Sequence, residues 1–130
     1  MTITWNGAAT LATVRRAALL GVVRGTEMVV EEGTRLILET PKTGKVYGRH
    51  RASAPGEAPA SDTGRLVQSG HTEYNTQAIS GTAAWSALEA SYLEHGTSRM
   101  EPRPFAQPAL ANKRDEINKA FAEEIAAALK

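Results

Sequence analysis

The sequence predicts an α+β domain: a long N-terminal helix, an extended loop, a small antiparallel sheet, a short helix and a C-terminal helix packed on the sheet. Apolar residues recur at helical spacing near both ends of the chain. β-Formers broken by turn residues fill the middle, and a proline- and glycine-rich segment separates the first helix from them. At 130 residues and 13.9 kDa the chain fits one domain, 1–130.

From about Ala8 to Glu39, Leu11, Val14, Ala18, Val22, Val29 and Leu36 stand three, four or seven apart, which places them on one side of a helix. Gly21, Gly25 and Gly33 interrupt it, each at a cost of up to ~1 kcal/mol against alanine, so a kink or a close packing is expected there. Pro41 ends the helix. Residues 41–64 hold Pro41, Pro55 and Pro59 with Gly44, Gly48, Gly56 and Gly64, a composition that resists regular structure and predicts a long loop or arm. Its first half is basic, with Lys42, Lys45, Arg49 and Arg51 around Tyr47; its second half carries Glu57 and Asp62.

Between Leu66 and Ala84, Val67, Thr72, Tyr74, Thr76, Ile79 and Thr82 are broken by Gly70, Asn75 and Gly81, which predicts two or three short antiparallel strands. Asp62-Thr63-Gly64 is a turn composition that steers the arm into the first of them. Trp85, Leu88, Tyr92 and Leu93 predict a short helix over 86–94, reversed at Glu94-His95-Gly96-Thr97 by Gly96. Pro102, Pro104 and Pro108 surround Phe105, so this stretch is expected to be a rigid strap with Phe105 as its anchor in the core. Pro108 is placed near the first position of the last helix, whose inner face is marked by Leu110, Ile117, Phe121, Ile125 and Ala128. Asp115 and Lys119 are an expected i,i+4 pair outside that face.

Hydrophobic residues make up 42% of the chain but aromatics only 5%, and alanine buries little area, so the core is expected to be thin and to need help from neighbours. Fifteen Lys and Arg against fourteen Asp and Glu leave a net charge of +1, so any contact with nucleic acid has to be local. The absence of cysteine excludes disulfides, thiolate zinc sites and thiol nucleophiles, and fits a reducing compartment. The start at Met1 shows no basic stretch followed by a long apolar one, and no later run reaches ~18 apolar residues. A soluble protein made in the cytoplasm, without a membrane partner, is expected.

His50, His71 and His95 show no metal-ligand spacing, so no metal is expected. Gly44-Lys45 is followed by Val46 where a phosphate-binding loop needs Ser or Thr, and no GxGxxG opens a helix, so no cofactor is expected either. Glu89 with Glu94, or Glu123 with Glu124, are carboxylate pairs of the kind that usually face solvent, and neither Ser69 nor Ser98 sits in a nucleophile elbow. These absences lead to the expectation that the chain is not an enzyme. The basic run 42–51 reads either as a contact for phosphate or an acidic neighbour, or as a solubilising loop.

Two phrases are more specific. One runs Ser53-Ala54-Pro55-Gly56-Glu57-Ala58-Pro59 through Asp62-Thr63-Gly64-Arg65-Leu66. The other runs Tyr92-Leu93-Glu94-His95-Gly96-Thr97-Ser98-Arg99-Met100 through Arg103-Pro104-Phe105 to Pro108-Ala109-Leu110. Together they resemble the gp-ten-like minor tail component family of long-tailed bacteriophages. That family's pattern is a long helix, an Asp-Thr-Gly-x-Leu segment, a small sheet, a Glu-x-Gly-Thr turn, an Arg-Pro-Phe step and a closing helix. It fits this chain in order and over nearly its whole length, with a first helix richer in glycine and with Val67-Gln68-Ser69-Gly70 in place of a more apolar continuation. The resemblance implies a structural virion protein of the head–tail junction: a subunit of a ring, expected to be a hexamer, which completes or terminates the tail and joins it to the head. It further implies contact with an adjacent head-completion or adaptor ring and with the tail tube protein, assembly in the host bacterial cytoplasm, and genomic DNA passing through the lumen without sequence-specific binding. Lys42, Lys45, Arg49 and Arg51 are then the candidate interface or lumen contacts. Asp62, Thr63, Gly64, Leu66, Glu94, Gly96, Thr97, Arg103, Pro104 and Phe105 are the motif residues. The alternative is a small DNA-binding module using the basic 42–51 arm.

Overall fold

The computed structural model describes residues 7–130; Met1–Asn6, part of the stretch read for a leader, lies outside the described residues. The chain is α+β, as its sequence predicts. Helix α1 (Gly7–Glu39) runs unbroken for 33 residues, about 50 Å at 1.5 Å per residue. Its buried line passes through Ala17, Gly21, Gly25, Val29, Gly33 and Leu36. Along this line lies α4 (Ala106–Ala128), antiparallel to α1: Gly21 meets Phe121, Gly25 meets Ile117, and Glu32 meets Asn112. The glycines allow the approach. A Cβ at Gly21 would stand 2.6 Å from the Phe121 ring and 3.0 Å from its Cα, and one at Gly25 would stand 2.8 Å from Ile117 Cγ2. Gly33 makes room for the indole of Trp85, which would lie 2.5 Å from a Cβ there. Of the two outcomes expected for these glycines, close packing is the one realised.

Between the two helices in sequence come a two-residue ribbon, β1 (Val46–Tyr47) with β2 (His50–Arg51), a single turn of helix α2 (Arg65–Gln68), and the hairpin β3 (Gly70–Asn75) with β4 (Ser80–Trp85). The β3–β4 register runs from Gly70 opposite Trp85 to Asn75 opposite Ser80. Asn75 Oδ1 accepts the N–H groups of Gln77 and Ala78, both at 3.0 Å, and closes the turn. This hairpin lies against α1, where Gly81 sits beside Thr26 and Arg15 donates to the carbonyl of Gln77. Leu66 and Val67 belong to α2 and not to a strand. Gly64, at φ 79°, turns the chain into that helix, and Leu66 is drawn into the core.

Trp85 closes β4, and α3 (Ala90–His95) starts four residues later than the expected Ser86. The core is small. Ile37, Leu66, Ala90 and Phe105 form one cluster and Val29, Leu36 and Ala109 a second, with the Trp85 indole packed against both. Trp85 and Phe105 meet edge to face, centroids 5.0 Å apart at 89°. Helix α4 meets β4 in the second cluster through Ile117, Ala83 and Trp85. Pro108 stands third in α4, where its missing N–H has no intrahelical partner to lose. The inner line of α4 passes through Ala109 and Ala120, leaving Leu110 and Phe121 on its exposed margin. The expected Asp115–Lys119 pair does not form; Lys113 pairs with Glu116 at 3.1 Å and reaches the buried Glu32 at 3.8 Å.

Candidate functional site

The arm is fastened at its base. Lys42 Nζ donates to the carbonyl of Leu36 at 2.9 Å, to Thr40 Oγ1 at 2.7 Å and to the carbonyl of Ala58 at 2.9 Å, so it caps the C-terminus of α1 and ties the returning chain to it. Burial there lowers the pKa of its amine. Glu57 accepts the hydroxyl and the N–H of Thr43 and the N–H of Ala54, and these bonds, the hydroxyl foremost, hold its carboxyl down at about 2. Ser53 and Pro59 are buried. The composition of the segment predicts a long loop or arm that resists regular structure. Instead, side-chain bonds to backbone groups supply what a proline-rich backbone cannot, and the β1–β2 ribbon forms at its tip.

Lys42 therefore turns inward, while Lys45, Arg49 and Arg51 remain exposed on the ribbon. Lys45 Nζ stands 5.3 Å over the Tyr47 ring, and Arg51 donates to the carbonyl of Gly44 at 3.0 Å. Among the described residues none of these three cations has a carboxylate within ion-pair distance. Val46 and Tyr47 are exposed beside them.

Of the motif residues, Leu66 and Glu94 meet Phe105, and the others build the turns on either side. At the first phrase, Thr63 Oγ1 accepts the N–H of Arg65, Gly64 holds the left-handed conformation and Leu66 enters the Phe105 cluster. The Asp62 carboxylate is exposed, 4.0 Å from His50 Nδ1. At the second, Gly96 ends α3 at φ 77°, its N–H bonded to the carbonyl of Tyr92, and a Cβ there would stand 2.9 Å from the carbonyl oxygen of Met100. Thr97 and Met100 bridge, and Thr97 Oγ1 accepts the N–H of Arg99. Arg103 donates its backbone N–H to the carbonyl of Leu93 at 2.6 Å, and its Nε is buried without a hydrogen-bond partner among the described residues. Pro104 then delivers Phe105, 1% exposed.

Glu94 does what sequence reasoning missed. Its carboxylate accepts the N–H groups of Phe105 at 2.8 Å, Ala106 at 3.0 Å and Gln107 at 2.8 Å, three of the donors that the first turn of α4 leaves open. A carboxylate at that end of the helix is also stabilised by the positive end of its dipole. The signal was present in the sequence: α4 has Phe105 where Ser, Thr, Asp or Asn would cap it locally, so an acceptor had to come from elsewhere.

The residues considered for chemistry are engaged otherwise. Glu124 and Glu123 pair with Arg24 at 3.1 and 3.5 Å and join α4 to α1. Ser69 donates its hydroxyl to the carbonyl of Leu66, and His71 contacts the Ser69 carbonyl and not that hydroxyl. Among the described residues, no three His, Cys, Asp or Glu side chains gather as metal ligands would, and no helix is long and apolar enough to cross a membrane. A groove of about 670 Å³ opens between α1, β4 and α4, lined by residues such as Gly25, Val29, Gly81, Trp85, Leu110 and Phe121. No ionisable side chain lines it, so it offers an apolar surface and no acid or base. Comparison with protein-family models, with curated proteins and with solved structures finds no match.

Proposed function

We propose that the chain is a structural subunit of a phage head–tail junction, a ring component that completes or terminates the tail and joins it to the head, with DNA passing through the lumen. The observation that carries this reading is the convergence of the motif residues. Asp-Thr-Gly-x-Leu, Glu-x-Gly-Thr and Arg-Pro-Phe are spread from residue 62 to 105, yet Leu66, Glu94 and Phe105 meet in one structural knot. Three short words from distant parts of the chain thus contribute to one core. They build the fold, and the ribbon, the outer side of α1 and the apolar groove are left for neighbours.

The surface agrees with an assembly subunit. The chain exposes 8760 Å², about 30% more than the ~6,700 Å² that a compact monomer of its mass shows. With Lys42 turned inward, three cations remain on the ribbon, enough for a salt slope of only about −3 in binding to duplex DNA. That favours a protein contact over a dedicated DNA-binding module.

Electron microscopy of particles from a phage carrying a stop codon in this gene tests the reading. The expected result is separate DNA-filled heads and tails, or tails of abnormal length, restored by complementation. Intact, infectious particles without the chain would overturn it, and a steep salt-dependent affinity of the purified chain for DNA would then support the module.

A further inference from the structure

We infer that the β1–β2 ribbon of one copy docks on the outer face of α1 of a second copy. At 100° per residue, Leu20, Val23, Glu27, Val30, Glu31 and Leu38 fall within about 100° of arc, which Thr34 and, a turn before Leu20, Arg16 share, on the side of α1 turned away from α4 and the hairpin. Leu20 and Leu38 are half exposed, Glu27 and Glu31 are exposed, and neither carboxylate has an ion-pair partner among the described residues. Glu27 and Glu31 stand i,i+4, a spacing at which like charges destabilise a helix.

The ribbon has the opposite chemistry in the same form. Val46 and Tyr47 are 48% and 59% exposed. Beside them stand Lys45, Arg49 and Arg51, crowded cations without a carboxylate. Apolar residues flanked by unpaired carboxylates thus face apolar residues flanked by unpaired cations, and one contact relieves the repulsion on both sides. The two surfaces are different parts of one chain, so the contact is head-to-tail, the kind that closes into a ring when the rotation permits. The fastened arm base, through Lys42 and Glu57, presents the ribbon already ordered and reduces the entropy lost on docking. This inference rests on the ring reading for its biological setting, but its chemistry is tested separately.

The test is zero-length carbodiimide cross-linking of an equal mixture of ¹⁴N- and ¹⁵N-labelled full-length chain, applied both to the purified protein and to assembled particles, with peptides mapped by mass spectrometry. Mixed-isotope links from Lys45 to Glu27 or Glu31 are expected. Glu27→Lys with Glu31→Lys should lower ribbon-to-α1 contact, read as concentration-dependent mass in sedimentation, by about a hundredfold or more. Arg49→Glu with Arg51→Glu should do the same, and the combined reversal should restore association, with circular dichroism unchanged throughout. Association whose links map elsewhere, or whose loss the combined reversal fails to restore, overturns the contact and leaves the ring reading standing. No intermolecular link in either preparation also overturns it. Joined particles lacking the chain overturn the ring reading whatever the links show.

Discussion

Around Phe105 the chain is held by rings and aliphatic side chains: Trp85 edge to face, Ile37 and Leu66 beside it, and the glycine line of α1 drawn against α4. Between Lys42 and Asp62 it is held by almost the opposite means, an ammonium and a carboxylate distributed over backbone groups, with Ser53 and Pro59 the residues buried there. Apolar packing carries no titrating group, and in the body the charged cap from Glu94 is added to it; the arm depends on charge throughout. The body is therefore expected to unfold as a unit, while the arm loosens by itself under conditions that leave the body intact.

The largest effect should come from the centre of the body. Phe105→Ala should lower the unfolding free energy by about 3–5 kcal/mol, measured by chemical denaturation. A loss below 1 kcal/mol would mean that the knot does not organise the core. Glu94→Ala strips three N–H groups of their charged acceptor and should cost about 2 kcal/mol, with faster amide exchange at Phe105, Ala106 and Gln107. Unchanged exchange at those three amides would remove the capping role.

Next come the glycines. Gly33→Ala drives a methyl into the rigid Trp85 ring and Gly21→Ala drives one toward the Phe121 backbone, so each should destabilise by about 1–2 kcal/mol despite the better helix former. Gly25→Ala meets the γ2 methyl of Ile117 and no ring or backbone, and with the better helix former set against that contact it should lie within about 1 kcal/mol of the wild type. Thermal melts of the three variants decide, and equal effects would contradict the close approach at either end.

The smallest effects distinguish arm from body by pH. The Glu57 carboxyl is held at about 2 against its ordinary 4.5, so its contribution to arm order is complete above 4.5 and is lost as the pH falls from there through about 2. Amide exchange at Thr43 and Ala54 should rise over that interval before the body unfolds. His71 behaves with the opposite sign. Its bonds to the carbonyl of Ser69 at 2.9 Å and to the Glu73 carboxylate at 3.0 Å raise its pKa above 6.5, so their contribution is present below 6.5 and lost as the pH rises through the folded value. A proton NMR titration of His71 should show a midpoint above 6.5 that falls in Glu73→Gln.

The elements themselves were legible because their signals are local. Helical spacing from Leu11 to Leu36, the turn residues around Asn75 and the stop at Gly96 each act within a few positions. What the sequence hid is carried by contacts across the chain. Val67 reads as a β-former in a strand segment beginning at Leu66, but burial of Leu66 beside Phe105 outweighs a propensity worth under about 1 kcal/mol. Trp85 fits a helical spacing yet ends a strand, because the space for its indole is made by Gly33, fifty-two positions earlier. Lys42 and Lys45 are equivalent in sequence, and only the path of the arm past Ala58 separates a helix cap from a surface cation.

The central claim is that this chain is part of an assembled particle, and the direct measurement is a cryo-electron microscopy reconstruction of the head–tail junction of purified virions, with the chain's presence checked by mass spectrometry. The account predicts a closed ring of copies with α1, α4 and the Phe105 knot recognisable in each subunit and the ribbon against a neighbouring copy. Purified, infectious virions that contain no copies of the chain would contradict it.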